Sequence, residues 1–135
     1  MNKLHDIITT LALDLQTDLP ALLTAEGVTT FEEIQIGGSR DSKKLSLFIY
    51  DNSVQKSATE NRISLYFQAQ LYRTSYEDSL KYQEVITDYM IAYDPENLGM
   101  TILENIEIES MDIMQNLSVY IYFAITFSEP LDSCG

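Results

Sequence analysis

The chain contains no tryptophan, a single cysteine and a single histidine, and it has no lysine or arginine after Lys81. The lone Cys134 excludes an internal disulfide, and a reducing cytoplasm is the simplest compartment for such a chain. His5 has no recognisable second catalytic element beside it. No run of about 18 apolar residues is present, and residues 1–16 lack the apolar core of a signal peptide. The sequence therefore predicts neither a membrane span nor a leader.

The charge is distributed unevenly along the chain. The first 81 residues hold all eight basic side chains beside eleven acids, whereas residues 82–135 hold ten carboxylates and no basic side chain. The formal charge of −13 therefore divides into −3 and −10. A phosphate backbone and an anionic membrane are both repelled by such a surface, so we expect no tight nucleic-acid binding and no membrane partner. The candidate DNA-repelling residues are Glu104, Glu107, Glu109 and Asp112.

The composition is typical of one globular domain spanning residues 1–135, with 45% hydrophobic and 21% charged residues. A helix over roughly residues 2–16 is predicted by one apolar stripe, Leu4, Ile7, Ile8, Leu11 and Leu15. A short second helix is predicted from Asp18 as its N-cap, Pro20 in its first turn and Gly27 past its end.

Alternating apolar residues predict the first strands. Ile34 and Ile36 indicate a short strand before a turn at Gly37-Gly38, and a second strand follows at residues 45–49. Residues 51–62 are polar and patternless, which predicts a long mobile loop. A third, longer strand is predicted at residues 63–72 by its strict alternation.

The second half of the chain reads as a helix and two strands. Ser75 or Ser79 is the predicted cap of a helix whose apolar stripe is Tyr82, Val85, Ile86, Tyr89 and Tyr93. A strand follows with a β-bulge near Ser110, then a turn at Gln115-Asn116 and a long strand at residues 117–127. The predicted fold is α+β in the order α(α)βββαββ, with about five antiparallel or mixed strands and the helices on one face.

No motif in the chain indicates a catalytic residue, a cofactor or a metal. Residues 94–99 begin like a calcium loop but lack the later ligands, so a helix end and a turn are the better interpretation. Residues 37–44 lack the spacing of a P-loop and read as a hairpin tip. The four acids between residues 104 and 112 favour a solvated face over a metal site, since no histidine accompanies them.

Two surfaces are candidates for subunit contacts. Tyr66, Tyr72, Tyr120 and Tyr122 fall on the polar faces of the two longest strands, where charge is nearly absent. This composition is typical of an interface, although a second layer of the same domain would account for it equally well. The other candidates are Leu80 and Ile91 on the outer side of the second helix, and a basic tip containing Arg40, Lys43 and Lys44.

Three stretches together resemble the tail terminator and minor tail proteins of long-tailed bacteriophages, in the group that includes lambda-like and Mu-like phages. They are the leading helix through Leu4 to Leu15, "RISLYFQAQLYRTSYEDSLKYQEVITDYM" (residues 62–90) and "LSVYIYFAITFSE" (residues 117–129). The likeness is one of pattern and length without an invariant motif. It implies a structural protein without catalytic residues.

In that family, the protein forms a ring, usually a hexamer, that caps the tail tube and joins it to the head. The implied partners are further copies of the chain, the tail tube protein and a head-completion protein. The implied location is the bacterial cytoplasm during assembly and then the virion tail.

Two other functions remain open on the residues alone. The acidic half fits an inhibitor of a basic protein, either a DNA mimic or an immunity protein that neutralises a nuclease, and this predicts a monomer or dimer. A small enzyme with a cone-shaped sheet is the least favoured, because no convergent polar residues are recognisable.

Overall fold

The computed structural model describes residues 2–38, 43–114 and 117–131. Helix α1 (Leu4–Ala25) is followed by strands β1 (Glu33–Ile36), β2 (Ser46–Lys56) and β3 (Glu60–Leu71). Helix α2 (Tyr76–Ala92) and a 3₁₀ helix (Pro95–Leu98) precede strands β4 (Ile102–Ile113) and β5 (Val119–Pro130). The predicted α+β class and strand number are confirmed, in the order αβββαββ.

The five strands form one mixed sheet in the order β1-β2-β3-β5-β4. Strand β1 runs parallel to β2, and every other neighbouring pair is antiparallel. Residues 37–44 connect these two parallel strands, so the prediction of a hairpin tip there is wrong. The three central strands are long, and β3 and β5 stay in register from Glu60 opposite Pro130 to Leu71 opposite Val119.

The hydrophobic core lies between one face of the sheet and both helices. Strands β3 and β5 contribute every second residue to it, as their alternation predicts: Ile63, Leu65, Phe67, Ala69, Leu71, Val119, Ile121, Phe123, Ile125 and Phe127. The helices contribute Leu11, Leu15 and Ile86 among others, all fully buried. We call the opposite side of the sheet the open face.

The N-terminal segment is one helix and not the two that the sequence predicts. Pro20 lies inside α1, where a proline costs about 3 kcal/mol because it donates no hydrogen bond. The stripe of Leu11 and Leu15 continues through Leu19 and Leu23, both fully buried, and this burial holds the helix together. Only the predicted end is correct, because Gly27 follows the helix at φ +77°.

Residues 51–62 form a hairpin, so the prediction of a long mobile loop is wrong. Strand β2 continues to Lys56, and β3 begins at Glu60, with Val54 paired to Ile63. The Ser57 hydroxyl closes the turn by accepting from the Glu60 backbone amide at 3.1 Å. This part of β2 is exposed on both faces. It therefore shows no apolar alternation that a sequence pattern would detect.

The predicted bulge near Ser110 is confirmed. Pairing between β4 and β5 shifts between Ile108 and Ser110, and a second shift lies between Leu103 and Asn105. Each shift adds one residue to β4, which places Glu104 and Glu109 in the bulges. The predicted turn at residues 115–116 lies outside the described residues.

Ser75, one of the two predicted caps, is the N-cap of helix α2. The Ser75 hydroxyl accepts from the Asp78 amide at 3.1 Å, whereas Ser79 is buried. After the helix, the Asp94 carboxylate accepts from the Glu96 amide at 3.0 Å and caps the 3₁₀ helix. Residues 94–99 are therefore a helix end and a turn, as expected.

Candidate functional site

The open face carries the polar residues of β3 and β5. Tyr66, Gln68 and Gln70 alternate with the core residues of β3, and Tyr120 and Tyr122 alternate with those of β5. Both helices share a core with the other side of the sheet, so neither helix covers these tyrosines. The tyrosines are half-buried by their own neighbours within the sheet.

Hydrogen bonds between side chains order the middle of the open face. The Gln68 amide donates to the Tyr122 hydroxyl at 3.1 Å, and the Gln70 amide donates to the Gln68 amide oxygen at 3.1 Å. Nearer to the start of β3 on the same face, the hydroxyls of Ser64 and Thr126 lie 2.9 Å apart. Most of these groups are neutral and already oriented, so covering them costs less than covering mobile charges.

Tyr50 belongs to this face although the sequence did not single it out. Its ring centroid lies 6.5 Å from that of Tyr66 and 6.4 Å from that of Tyr122, so three tyrosines from three strands form one aromatic cluster. Burial, followed by the nearby Glu109 carboxylate, raises the pKa of Tyr50. The alternation of Phe48 and Tyr50 with Leu47 and Ile49 was the available signal.

Three of the predicted acidic residues line the β4 side of the open face. Glu107 lies opposite Ala124 and Asp112 lies opposite Tyr120, while Glu109 occupies a bulge close enough to influence Tyr50. The structure thus places an acidic border beside the uncharged tyrosines. No group of three or more metal-ligating side chains occurs among the described residues.

The fourth acid, Glu104, is engaged by a basic residue. Its carboxylate lies 3.0 Å from Nε of Arg62, and Glu60 lies 3.3 Å from Nη2 of the same guanidinium. Arg62 and Glu104 line a shallow polar groove of about 400 Å³ together with Ser53, Gln55, Ser64, Tyr66, Asn105 and Thr126. Since Arg62 compensates one charge here, this end of the face is less acidic than its acids alone suggest.

The other predicted contact residues lie away from the tyrosine cluster. Leu80 and Ile91 project from the outer side of α2 with 40% and 64% of their surface exposed. Lys43 and Lys44 are exposed just before β2, whereas Arg40 lies outside the described residues. Tyr72 follows the end of β3, where the Arg73 guanidinium stands 5.3 Å from its ring centre. The sheet brings together Tyr66, Tyr120 and Tyr122 only.

Two tyrosines on α2 do not belong to the open face but connect the two helices. Tyr89 donates to the Asp18 carboxylate at 2.7 Å, and Tyr93 donates to Asp14, so two hydrogen bonds tie α2 to α1. Burial and these carboxylates raise the pKa of both tyrosines. Asp18 is therefore an acceptor between helices and not the predicted N-cap.

Comparison with known proteins adds no relative to this description. No family model matches the chain, and no curated protein sequence matches it. Among the described residues, neither helix is both long and apolar enough to cross a membrane. The resemblance to phage tail proteins therefore stays a prediction that rests on the pattern of the sequence.

Proposed function

We propose that this chain is a structural protein of a phage or prophage tail, namely a tail terminator that assembles into a ring. The ring caps the tail tube and joins it to the head, so the partners are further copies, the tube protein and a head-completion protein. Assembly takes place in the bacterial cytoplasm, and the product remains in the virion tail. The resemblance supplies this function, and the open face supplies the physical support for it.

The observation that carries the proposal is an aromatic cluster in the middle of a sheet face that has no helical layer over it. Tyr50, Tyr66 and Tyr122 form a cluster there, and Gln68 fixes the Tyr122 hydroxyl. Tyrosine-rich surfaces with little charge are enriched at the centres of protein interfaces. Burial of this tyrosine cluster against another copy would remove aromatic area from water, with Asp51, in register with Tyr66, left at the rim of the contact.

A ring needs two different surfaces that meet head to tail. The open face is one of them, and the outer side of α2 with Leu80 and Ile91 is the other. These two surfaces are different from one another, because α2 packs on the core side of the sheet, and a ring requires that each copy be rotated relative to the last. A contact between them leaves both surfaces of the assembly available for the next copy, which a two-fold dimer does not. Closure of such a series gives a ring.

The acidic border on β4 fits a protein that surrounds passing DNA. Carboxylates at Glu107, Glu109 and Asp112 repel a phosphate backbone, so DNA would move through without sticking. The charge of −10 in residues 82–135 acts in the same direction.

The test replaces tyrosines that face away from the core. Tyr120→Glu with Tyr122→Glu places two charges on the open face, and we expect a folded chain that no longer assembles. The matched control is Leu13→Glu with Thr17→Glu, which adds the same charge on the exposed side of α1. Native mass over a range of concentrations, with and without isolated tail tubes, measures assembly, and circular dichroism measures folding.

Each result has a distinct meaning. Loss of assembly in the tyrosine variant with retention in the control supports the ring contact. Unimpaired assembly of the tyrosine variant shows that the open face is not the interface. If the native protein remains a monomer even with tubes present, the terminator proposal itself fails.

One observation favours an acidic inhibitor as a second candidate. The three carboxylates Glu107, Glu109 and Asp112 along β4 present the kind of charge that a basic nuclease would bind. This candidate predicts a monomer or dimer that inhibits a basic nuclease, with inhibition lost in Glu107→Lys, Glu109→Lys and Asp112→Lys combined. If the protein assembles into a ring and does not inhibit nucleases, the inhibitor candidate is wrong.

A further inference from the structure

A second surface lies at one end of the sheet, away from the tyrosine cluster. The segment between β3 and α2 meets the end of β4 and the start of β5 there and leaves a groove of about 340 Å³. We call it the end groove, and its lining is Arg73, Thr74, Ser75, Tyr76, Ile113, Leu117 and Val119. Ile113, Leu117 and Tyr76 are exposed by 66%, 75% and 55%, which leaves large apolar side chains in water.

Two residues with an unfavourable backbone conformation meet at this groove. Arg73 has φ +51° and Leu117 has φ +64°, and no other non-glycine residue within the described ranges has a positive φ. They are neighbours in space, because the Arg73 amide donates to the Ser118 hydroxyl at 3.3 Å. Leu117 closes the connection between β4 and β5, where its amide donates to the Met114 carbonyl at 3.2 Å, and hairpin loops commonly have a left-handed residue at such a place. Its side chain is 75% exposed there.

Arg73 adds a positive charge at the lip of the groove. Its guanidinium is held over the Tyr72 ring at 5.3 Å, and it forms no ion pair with a carboxylate in the part of the chain that the structure describes. The chain carries 21 acids and only eight bases, so an arginine without an acidic partner is notable. A stacked arginine that keeps its donors free is well suited to bind a carboxylate from another molecule.

From this arrangement we infer that the end groove binds a segment of a different protein in which an apolar side chain stands next to a carboxylate. The apolar side chain lies between Ile113, Leu117 and Tyr76, and the carboxylate pairs with Arg73. Its residues are not those of the tyrosine cluster, although Tyr76 stands one helical turn before Leu80 on α2, and the test below is made on the free chain. The inference therefore does not rest on the proposed ring.

Two exposed leucines near an acid make poor occupants from a second copy, whereas Leu131, which precedes Asp132 in the sequence, is covered by the concentration series in the test. Leu13 is an exposed leucine beside an acid, but its neighbour Asp14 already accepts from Tyr93. Leu22 likewise stands one helical turn from Asp18, which accepts from Tyr89. The carboxylates beside these two leucines are thus engaged within the chain.

The test uses short synthetic peptides and the isotope-labelled full chain. One glycine–serine peptide carries Leu-Asp at its centre, and matched peptides carry Leu-Asn or Ser-Asp. In an NMR titration we expect the Leu-Asp peptide to shift the amide signals of Thr74, Leu117 and Ser118. The Leu-Asn peptide should bind about threefold to fivefold more weakly, because it loses one exposed ion pair. The Ser-Asp peptide should leave these signals in place.

Variants separate binding from folding. Leu117→Asn removes the presented side chain but keeps a residue that tolerates a left-handed backbone, so the melting temperature should hold or rise while affinity falls about tenfold. Arg73→Gln should bind the Leu-Asp and Leu-Asn peptides equally. Leu13→Asn, an exposed leucine on α1, is the control and should bind as the unmodified chain does.

The inference fails if none of the peptides shifts these signals, or if Leu-Asp and Leu-Asn bind alike to the unmodified chain. It also fails if the same amide signals move with protein concentration alone, since the occupant is then a second copy. None of these results bears on assembly through the open face, which the tyrosine variants test separately.

Discussion

The side-chain amide of Gln16 in α1 donates to the backbone carbonyl of Ile34 in β1 at 2.6 Å. The amides of Glu33 and Gly37 donate toward β2, so the Ile34 carbonyl points to the outer edge of the sheet. Gln16 therefore occupies an acceptor that the strand of another protein would otherwise use. The contact couples the first helix to the sheet and protects its shortest edge strand.

Replacement of Gln16 should weaken the fold measurably. We expect Gln16→Ala to lower the free energy of unfolding by about 0.5–1.5 kcal/mol, the typical worth of one hydrogen bond. Gln16→Glu keeps the length of the side chain but removes the donor, and it should lose at least as much. Urea denaturation followed by circular dichroism measures both, and a Gln16→Glu variant as stable as the unmodified chain would contradict the assignment.

Much of this fold is predictable because long segments bury one side only. Strands β3 and β5 alternate strictly, and α2 carries one apolar stripe, so periodicity identified all three. The failures have a common cause in tertiary contacts. Pro20 signals a break, yet Leu19 and Leu23 are buried in the core and the helix continues through it to Ala25. The outer half of β2 is paired only with β3 and exposed, so its pattern indicated a loop.

The residues of the candidate sites also divide into those that the sequence predicts and those that it misses. Tyr66, Tyr120 and Tyr122 were identified because alternation places them together on one side of their strands. Tyr50 was missed because it fell between the predicted strand at residues 45–49 and the predicted loop at residues 51–62, whereas β2 runs through it. The backbone angles of Arg73 and Leu117 depend on how the end of β3 meets the start of β5. The residues around each position do not reveal this contact between distant parts of the chain, so the sequence alone could not predict these backbone angles.

Alkaline pH should lower the free energy of unfolding, because unfolding then removes the protons of the tyrosines on α2. Burial and the Asp18 hydrogen bond raise the pKa of Tyr89, burial and the Asp14 hydrogen bond raise that of Tyr93, and burial raises the pKa of Tyr82 to about 12. Unfolded tyrosines lose their protons near pH 10, while the folded ones retain them. Above that pH the folded state binds more protons than the unfolded state, so the free energy of unfolding falls as the pH rises.

The helix tyrosines can be tested by removing their hydroxyls. In Tyr89→Phe with Tyr93→Phe, the decline in stability above pH 10 should be shallower, although the variant is less stable at neutral pH. Tyr76→Phe removes an exposed hydroxyl and serves as the control. Denaturation series between neutral pH and about pH 11 measure the slopes. A double variant whose slope equals that of the unmodified chain would show that these two hydroxyls are not the source.

The acidic border of the open face predicts how the protein meets DNA. The unmodified chain should not retard duplex DNA in a gel-shift titration at low salt, because carboxylates on β4 face outward beside a sheet without basic residues at its centre. The variant Glu107→Lys, Glu109→Lys and Asp112→Lys places three cations on the same strand. It should bind DNA with an affinity that falls with salt, to a log–log slope of at most about −3 for three phosphate contacts. Salt-sensitive, micromolar binding by the unmodified chain would overturn the charge argument. A triple-lysine variant that also fails to bind would show that this border does not meet DNA, whatever its charge.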